Sequence, residues 1–287
     1  MAVLSLEHVS YIYGEGTPFE IKALDDVSLS VREGSVTGII GHTGSGKSTL
    51  VQLLNGLLRP TSGQVLLDGE DIWAKPKEIA RVRFRVGLVM QYPEYQLFDA
   101  TVHSDIGFGP RNMKLSIEEI ECRVREAAAF AGVGEELFEK SPFDLSGGQR
   151  RRVAIAGVIA MRPEVLILDE PAAGLDPRGR RDILSGLYRY GRESGSTVIL
   201  VSHSMEDMAH YCDNVVVMND AAVYMTGTVK EVFSRPEELS AIGLDIPEIA
   251  KIAAALRAKG IGLSGDLYTV AGVRDALLGL ARGEAAE

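Results

Sequence analysis

The stretch Val36-Thr-Gly-Ile-Ile-Gly-His-Thr-Gly-Ser-Gly-Lys-Ser48 decides the fold of this chain. It opens with a short apolar run typical of a buried strand, and the residues Lys47–Leu58 have a helical pattern. The loop between them fits G-x-x-x-x-G-K-[ST]. Backbone N–H groups of such a loop point at phosphate oxygens, and its glycines permit a close approach. The stretch therefore predicts a nucleotide site in a strand-loop-helix unit.

Each position of this loop is a candidate nucleotide contact. Lys47 supplies a positive charge to the β- and γ-phosphates, and the Ser48 hydroxyl is a candidate Mg²⁺ ligand. The predicted nucleotide contacts are Gly41, His42, Thr43, Gly44, Ser45, Gly46, Lys47, Ser48 and Thr49.

A second apolar strand, Val165-Leu-Ile-Leu-Asp-Glu170, ends in two carboxylates. Ligands of open α/β sheets bind at the carboxyl ends of the strands, so both acids are expected at the site. We predict that Asp169 holds Mg²⁺, largely through water, and that Glu170 is the general base that polarises the attacking water.

Composition limits the classes of partner. The chain has 287 residues, 46% of them hydrophobic, and a formal net charge of −10, which gives nucleic acid no general electrostatic attraction. No apolar run approaches the roughly 20 residues that span a bilayer, and the N-terminus does not resemble a signal peptide. Cys122 and Cys212 lack metal-ligand spacing. We expect a soluble chain that serves a membrane through partner proteins.

Strand and helix patterns alternate along most of the chain, which predicts a mostly parallel α/β sheet. Between Gln91 and about residue 160 the pattern becomes helical, with helices expected at Ser116–Ala131 and Gly148–Met161. From about Pro236 it loosens into a tail with one clear helix, Pro247–Lys259.

The sequence Leu145-Ser-Gly-Gly-Gln149 resembles the signature of the ATP-binding cassette (ABC) ATPases, and it precedes the acidic strand as it does in that family. It is a small-residue turn at a helix start, which exposes N–H groups to an anion. The resemblance implies that Ser146, Gly147, Gly148 and Gln149 contact the γ-phosphate of ATP held by the opposite subunit of a head-to-tail dimer.

The same resemblance assigns further residues. It implies that Tyr13 stacks on adenine, with Tyr11 as the weaker alternative, and that Gln91 ligates Mg²⁺ and senses a transmembrane partner. His203 corresponds to the switch histidine at the γ-phosphate, so Glu170, His203 and Gln91 form the implied catalytic set. Gly174-Leu-Asp176 corresponds to the loop that crosses the dimer interface.

The resemblance also implies the fold: an α/β P-loop NTPase core of the ABC ATPase type, with a helical signature subdomain and a small C-terminal domain. The expected nucleotide-binding domain covers residues 1–235, with its helical subdomain at about 92–160. A C-terminal dimerisation domain is expected over residues 236–287.

Within the family, Gly87-Leu-Val-Met-Gln-Tyr-Pro-Glu-Tyr-Gln-Leu-Phe98 is similar to the corresponding segment of the energy-coupling factor transporters. Asp105–Asn112 and Gly147–Gly157 strengthen that similarity. It implies an ATP- and Mg²⁺-dependent ATPase that pairs with a second, identical or homologous, ATPase. Its other implied partners are a transmembrane coupling subunit and a substrate-specificity subunit, and the chain is expected at the cytoplasmic face of the cell membrane. The substrates of that family are vitamins and transition-metal ions.

Two segments have alternative interpretations. Tyr92, Tyr95, Leu97 and Phe98 form either an apolar docking area beside Gln91 or ordinary packing of the helical insertion. Arg150-Arg-Arg152 is interpreted as a solvated helix face, with a contact to lipid headgroups or to a partner as the alternative.

Two other functions are considered. The first alternative is the ATPase of a non-energy-coupling-factor importer, for peptides, amino acids or ions. A soluble ABC protein that acts on DNA or ribosomes fits less well, because no heptad array separates Gly46 from Leu145.

Overall fold

The computed structural model describes residues 2–265 and 267–282. Its strands are β1 Ala2–Tyr13, β2 Ile21–Arg32, β3 Val36–Ile40, β4 Ser62–Leu67, β5 Glu70–Asp71, β6 Val86–Val89, β7 Val165–Asp169, β8 Thr197–Val201, β9 Asn214–Asn219 and β10 Ala222–Thr228. Its α-helices are α1 Lys47–Leu54, α2 Ile79–Arg85, α3 Val102–Asn112, α4 Ile117–Ala131, α5 Gly147–Ile159, α6 Pro177–Ser194, α7 Met205–Tyr211, α8 Val229–Phe233, α9 Pro236–Ala241, α10 Glu248–Ala258 and α11 Val270–Ala281.

The main sheet runs in the order β10-β9-β3-β8-β7-β6 within the described residues. All neighbouring pairs are parallel except β10 with β9, which is antiparallel. The central strands β3, β7 and β8 are buried along their whole length, which explains why their sequences are continuous apolar runs. This sheet confirms the predicted α/β class and places the carboxyl ends of β3, β6, β7 and β8 along one edge.

Alternate residues of each central strand belong to two different cores. In β7, Leu166 and Leu168 join the core that packs against α3 to α6, whereas Val165 and Ile167 join the core beneath β1, β2 and α1. Leu166 and Ile167 are fully buried, and burial of each such side chain stabilises the fold by about 2 kcal/mol.

The second sheet is antiparallel, with the order β2-β1-β4-β5 in the described chain. Strand β1 points Leu4, Leu6 and Val9 into the core beneath β1, β2 and α1, while Glu7 and His8 are exposed. This sheet brings the end of β1, and with it Tyr13, beside the loop that follows β3.

Helices α3, α4 and α5 lie between β6 and β7 in the chain; α4 and α5 match the two expected helices, and α3 is an additional one. Gly109 of α3 allows a close approach, because a Cβ there would lie 2.6 Å from Met161 Cγ. Ser116 caps α4 as its N-cap residue, and Gly132 ends that helix in the left-handed conformation.

The C-terminal segment is richer in helix than expected. Besides α10, which matches the predicted helix, it contains α9 and α11, so the expectation of one clear helix is wrong. Leu239 and Ile246 are buried in the core that packs against α3 to α6, which we call the main core. A separate small cluster of Ala253, Leu263, Leu267 and Val273 joins α10 to α11. The expected C-terminal domain also includes residue 266 and residues 283–287, which lie outside the described residues.

In the part of the chain that the structure describes, no helix is long and apolar enough to cross a membrane.

Candidate active site

The loop between β3 and α1 depends on its glycines. Gly46 is the N-cap residue of α1 and has a φ of 100°, and Gly44 has a φ of 85°. A Cβ on Gly46 would lie 2.5 Å from the Ala23 carbonyl oxygen, and one on Gly41 would lie 2.5 Å from that of Met218. The loop therefore accepts no side chain at these two positions, and it forms a tight cradle at the helix start.

Lys47 is buried at the base of the cradle. Its Nζ donates hydrogen bonds to the carbonyl oxygens of Gly41 at 2.7 Å and His42 at 2.8 Å. Burial lowers the pKa of Lys47, although the nearby Glu170 and Asp169 carboxylates oppose that shift. The Ser45 hydroxyl is buried and has no hydrogen-bond partner. An anionic group with acceptor oxygens fits this set of donors.

Two other loop residues are held by neighbours. His42 Nε2 lies 2.7 Å from Asn219 Oδ1 at the end of β9, which directs the ring toward that strand. Thr49 Oγ1 lies 3.2 Å from the Tyr13 hydroxyl. The second contact joins the predicted adenine-stacking residue to the first turn of α1.

Asp169 and Glu170 lie at the end of β7, opposite the cradle. Burial raises the pKa of Asp169, while hydrogen bonding to Ser48 and the charge of Lys47 act against that rise. Burial, followed by the negative charge of Asp169, raises the pKa of Glu170 to about 7. Glu170 also has a left-handed φ of 51°, and its N–H donates to the Val201 carbonyl at 3.1 Å. This backbone turn directs the carboxyl into the site.

His203 faces Glu170 across the site. Its Nε2 lies 3.5 Å from Glu170 Oε1, a buried oxygen that has no hydrogen-bond partner. Burial, followed by the charge of Lys47, lowers the pKa of His203. The imidazole is therefore mainly neutral at pH 7, and the contact is a weak polar one rather than a full ion pair.

One cavity of about 460 Å³ joins these residues. It brings together residues from six separate segments of the chain, including six of the nine predicted loop contacts, whereas Gly41, His42 and Ser45 do not line it. Its walls include Tyr13, Thr43, Gly44, Gly46, Lys47, Ser48, Thr49, Gln91, Asp169, Glu170 and His203. Tyr11, the alternative adenine residue, does not line it but packs edge-on against Tyr13, with ring centroids 4.8 Å apart.

The signature turn is separate from this cavity. Ser146 is the N-cap residue of α5 and forms a capping box with Gln149. Ser146, Gly147 and Gln149 are exposed, and none of them lines the nucleotide cavity. A Cβ on Gly147 or Gly148 would meet no atom within 4 Å, so nothing in this chain itself requires glycine there.

The sequence interpretation of the arginine run is wrong for its middle residue. Arg151 is only 3% exposed, and its guanidinium forms two hydrogen bonds with Glu94. Three successive helical residues span about 200° of the helix circumference, so a helix packed on one side cannot leave all three in solvent. The helical spacing of the three arginines is the sequence signal that predicts at least one of them to be buried.

The aromatic segment after Gln91 is divided between surface and core. Leu97 is buried in the main core, so the packing interpretation holds for it. Tyr95 and Phe98 are 82% and 59% exposed, and Tyr92 is 44% exposed. Phe98 packs edge-on against the exposed Phe108, with centroids 4.8 Å apart. We call Tyr92, Tyr95, Phe98 and Phe108 the aromatic patch.

The class of protein is defined by four features: a mostly parallel main sheet, a glycine cradle ahead of α1, paired acids at the end of β7 and a remote signature turn. Together they are those of a P-loop ATPase cassette. Residues 24–173 match the family described as ABC transporter. The chain is 54% identical over 277 residues to the energy-coupling factor transporter ATP-binding protein EcfA2 of Symbiobacterium thermophilum, covering 95% of this chain and 96% of that protein. It is 49% identical over 280 residues to the protein of the same name from Caldanaerobacter subterraneus subsp. tengcongensis, covering 98% of both.

Solved structures agree. The cbiO1 protein of Clostridium perfringens, described as part of the ABC transporter complex cbiONQ, has a TM-score of 0.74 and 41% identity, covering 89% of this chain and 99% of that one. The dimeric bacterial ABC transporter cassette MJ0796 has a TM-score of 0.71 and 30% identity, covering 79% of this chain and 98% of that one. The chain belongs to the ABC transporter family, among the energy-coupling factor transporter ATP-binding proteins.

Proposed function

We propose that this chain is the ATP-hydrolysing subunit of an energy-coupling factor-type importer, in which ATP closes a head-to-tail pair of ATPases and the closure moves partner membrane subunits. The observation that carries the proposal is the separation of the signature turn at Ser146 from the cavity that contains Lys47 and Glu170. In this proposal each chain binds ATP with one surface and offers its signature turn to the ATP of its neighbour.

The residues of the cavity fit ATP with Mg²⁺. The cradle, Lys47 and the unpartnered Ser45 hydroxyl suit a triphosphate, and Tyr13, which lines the same cavity, is the proposed stacking partner of the base. Ser48, Gln91 and Asp169 supply hard oxygen ligands, which suit Mg²⁺. When bound, Mg²⁺ neutralises charge on the β- and γ-phosphates.

Glu170 is the proposed general base. Glu170 lines the cavity and its Oε1 has no hydrogen-bond partner, so an ionised carboxylate there can accept a proton from the attacking water. His203, neutral and 3.5 Å from that oxygen, is placed to orient the same water or the γ-phosphate.

The aromatic patch is the proposed docking surface for a helix of the transmembrane subunit. Its position directly after Gln91 connects nucleotide contact to the membrane partner, and exposed clusters of this kind mark partner sites. The chain then lies at the cytoplasmic face of the membrane as a peripheral subunit. By family analogy the cargo is a vitamin or a transition-metal ion, bound by a separate specificity subunit.

The C-terminal segment is proposed to hold the two ATPases together. Its helix α11 exposes Val270, Leu277 and Leu278, which suit a contact with the second ATPase. A chain ended after Pro247 keeps the buried Leu239 and Ile246, so it should fold and bind ATP. Light scattering without ATP should show a smaller share of dimer, and an unchanged share would contradict this role.

Co-purification tests the proposed function. The tagged chain, extracted from its native membranes in detergent, should carry an integral membrane subunit and a second ATPase identified by mass spectrometry. The complex, reconstituted in liposomes, should hydrolyse ATP. Recovery of a peptide or amino-acid binding protein instead would favour the alternative of a non-energy-coupling-factor importer, and recovery of ribosomes would reject both.

A further inference from the structure

Arg151 is the one buried arginine among the described residues, and it lies outside the nucleotide cavity. It occupies the second turn of α5, the helix that begins at the signature turn. A buried guanidinium is costly unless its donors are satisfied, so its partners indicate what it holds in place.

The guanidinium contacts three residues in two chain segments, the one that follows Gln91 and the one that follows Glu170. Its Nε and Nη2 donate to Glu94 Oε2 at 2.9 Å and Oε1 at 2.7 Å, a bidentate pair. Its Nη1 donates to the Ala173 carbonyl oxygen, and its Cζ lies 5.8 Å from the centroid of the Tyr92 ring.

Each contacted segment adjoins a residue of the nucleotide cavity. Tyr92 follows Gln91 directly and has a strained φ of 53°. The Ala173 N–H donates to the Glu170 carbonyl at 3.1 Å, in the turn that gives Glu170 its own strained φ of 51°. Strained backbone persists where its surroundings over-determine it, and Arg151 lies between both turns.

The contact with Glu94 is well shielded from solvent. The two side chains are 4% and 12% exposed, which strengthens their attraction. Burial alone would raise the pKa of Glu94, but the hydrogen bonds and charge of Arg151 outweigh it and hold the pKa below its ordinary value. The pair is therefore ionised across the neutral range.

We propose that Arg151 is a positioning residue that couples the chain's own nucleotide cavity, through Tyr92, Glu94 and Ala173, to the signature turn that it presents to the neighbour's ATP. The inference rests on the proposed function, because it concerns the timing of ATP hydrolysis within a pair of ATPases. A change in the position of Gln91 or Glu170 is transmitted to α5 through the Arg151 guanidinium. A lysine cannot replace this planar group, which has five hydrogen-bond donors.

The test compares Arg151→Lys with Arg152→Lys in the complex reconstituted in liposomes. Arg152 lies next to it in α5, but its partners are the Ala131 carbonyl and Asp182, away from the cavity. Arg151→Lys should lower kcat for ATP about 10- to 100-fold, as expected for lost charge-assisted hydrogen bonds. The Kd for ATP and the number of ATP molecules bound should both stay within about 2-fold of wild type. A change of about 1.4 kcal/mol in the binding free energy would already alter the Kd 10-fold.

A double variant covers the case in which Arg151→Lys does not fold. Arg151→Met with Glu94→Gln leaves no unpaired charge at this contact, so it should unfold near the wild-type temperature and still show the loss of kcat at unchanged ATP affinity. A folded variant with wild-type kcat would overturn the inference and leave only a packing role. Absence of ATP turnover in the wild-type and Arg152→Lys complexes would overturn the proposed function, and this inference with it.

Discussion

Glu170 occupies a position that opposes its ionisation. Its side chain is 14% exposed, Asp169 precedes it, and its backbone is left-handed. The unfolded chain offers the carboxyl full hydration, so its pKa there is close to 4.5, against about 7 in the folded chain. Between these values the folded state binds more protons, and the free energy of unfolding falls as pH rises.

Glu170→Gln should remove this pH-dependent cost. The variant's added stability should be small at pH 4.5 and grow to as much as about 3 kcal/mol above pH 7, where the wild-type carboxylate is ionised. Urea unfolding of both nucleotide-free chains at pH 5 and pH 8 measures the difference. Asp169 is present in both proteins, so its own titration largely cancels. If the variant were more stable than wild type by the same amount at both pH values, the raised pKa of Glu170 would not explain the difference.

Lys47→Ala should weaken ATP binding about 100-fold, because it deletes the charged donor at the base of the cradle. Lys22→Ala is the matched control, since Lys22 lines the same cavity but is exposed and paired with Asp25. Titration calorimetry with ATP should show little change for the control. Similar losses for both variants would indicate a general charge effect instead of a specific phosphate contact.

At the scale of elements, β3, the glycine loop and α1 followed directly from the sequence, because buried strands and glycine-rich turns have strong local patterns. Helix α1 ends at Leu54, earlier than Leu58, since Gly56 adopts a left-handed φ of 71°. Helix α3 was missed because Gly107, Gly109 and Pro110 lower its helical propensity, and its packing against α4 and α5 compensates.

The candidate site also contains both features that a local sequence pattern predicts and features that depend on packing. Its loop and acids are contiguous motifs, whereas the link from Arg151 to Glu94 joins residues 57 positions apart. No local pattern specifies such a contact, since it depends on how α5 packs beneath the segment after Gln91. Sequence reasoning therefore identified residues that line the cavity, but it did not identify Arg151, which contacts the segments behind that cavity.

Gly147→Ala separates helix stability from function. Alanine favours a helix over glycine by up to about 1 kcal/mol, and a Cβ at this position meets nothing within 4 Å in the chain. The variant should unfold at or above the wild-type temperature, yet hydrolyse ATP at least about 10-fold more slowly, because the added methyl obstructs the neighbour's nucleotide.

Gly157→Ala is the control for that substitution. It lies in the same helix at the far end, where a Cβ would make an ordinary contact 3.8 Å from the Asp105 carbonyl. It should leave both stability and ATP hydrolysis close to wild type. A Gly147→Ala variant with full activity would exclude a close approach of nucleotide at the signature turn.

At the scale of the whole molecule, we expect the partner proteins to determine what ATP hydrolysis accomplishes. The nucleotide cavity, the signature turn and the aromatic patch occupy separate surfaces, and Arg151 connects the segments behind them. In the proposed function, such a chain gives its ATPase activity a direction only inside an assembly, where one surface meets another ATPase and one meets a membrane subunit.

Tyr95→Ala with Phe98→Ala should preserve folding and ATP binding but weaken assembly. Both side chains are exposed, so their loss should change the free energy of unfolding by about 0.5 kcal/mol each or less. Tyr224→Ala, at an exposed aromatic on β10, is the control. Pull-down from native membranes should lose the membrane subunit with the double variant alone. Full recovery would return these aromatics to simple surface residues.

The distance between the signature turn and the cavity of its own chain has a consequence for inheritance. In the proposed head-to-tail pair, if a defective Lys47 and a defective Gly147 are carried by one gene, both ATP sites of a mixed pair are damaged. If the two lesions are carried by different genes, both fall in the same ATP site of the mixed pair. The other ATP site then has an intact Lys47 and an intact Gly147. Duplicated copies of such a gene are therefore free to accumulate complementary losses and diverge into an obligate pair.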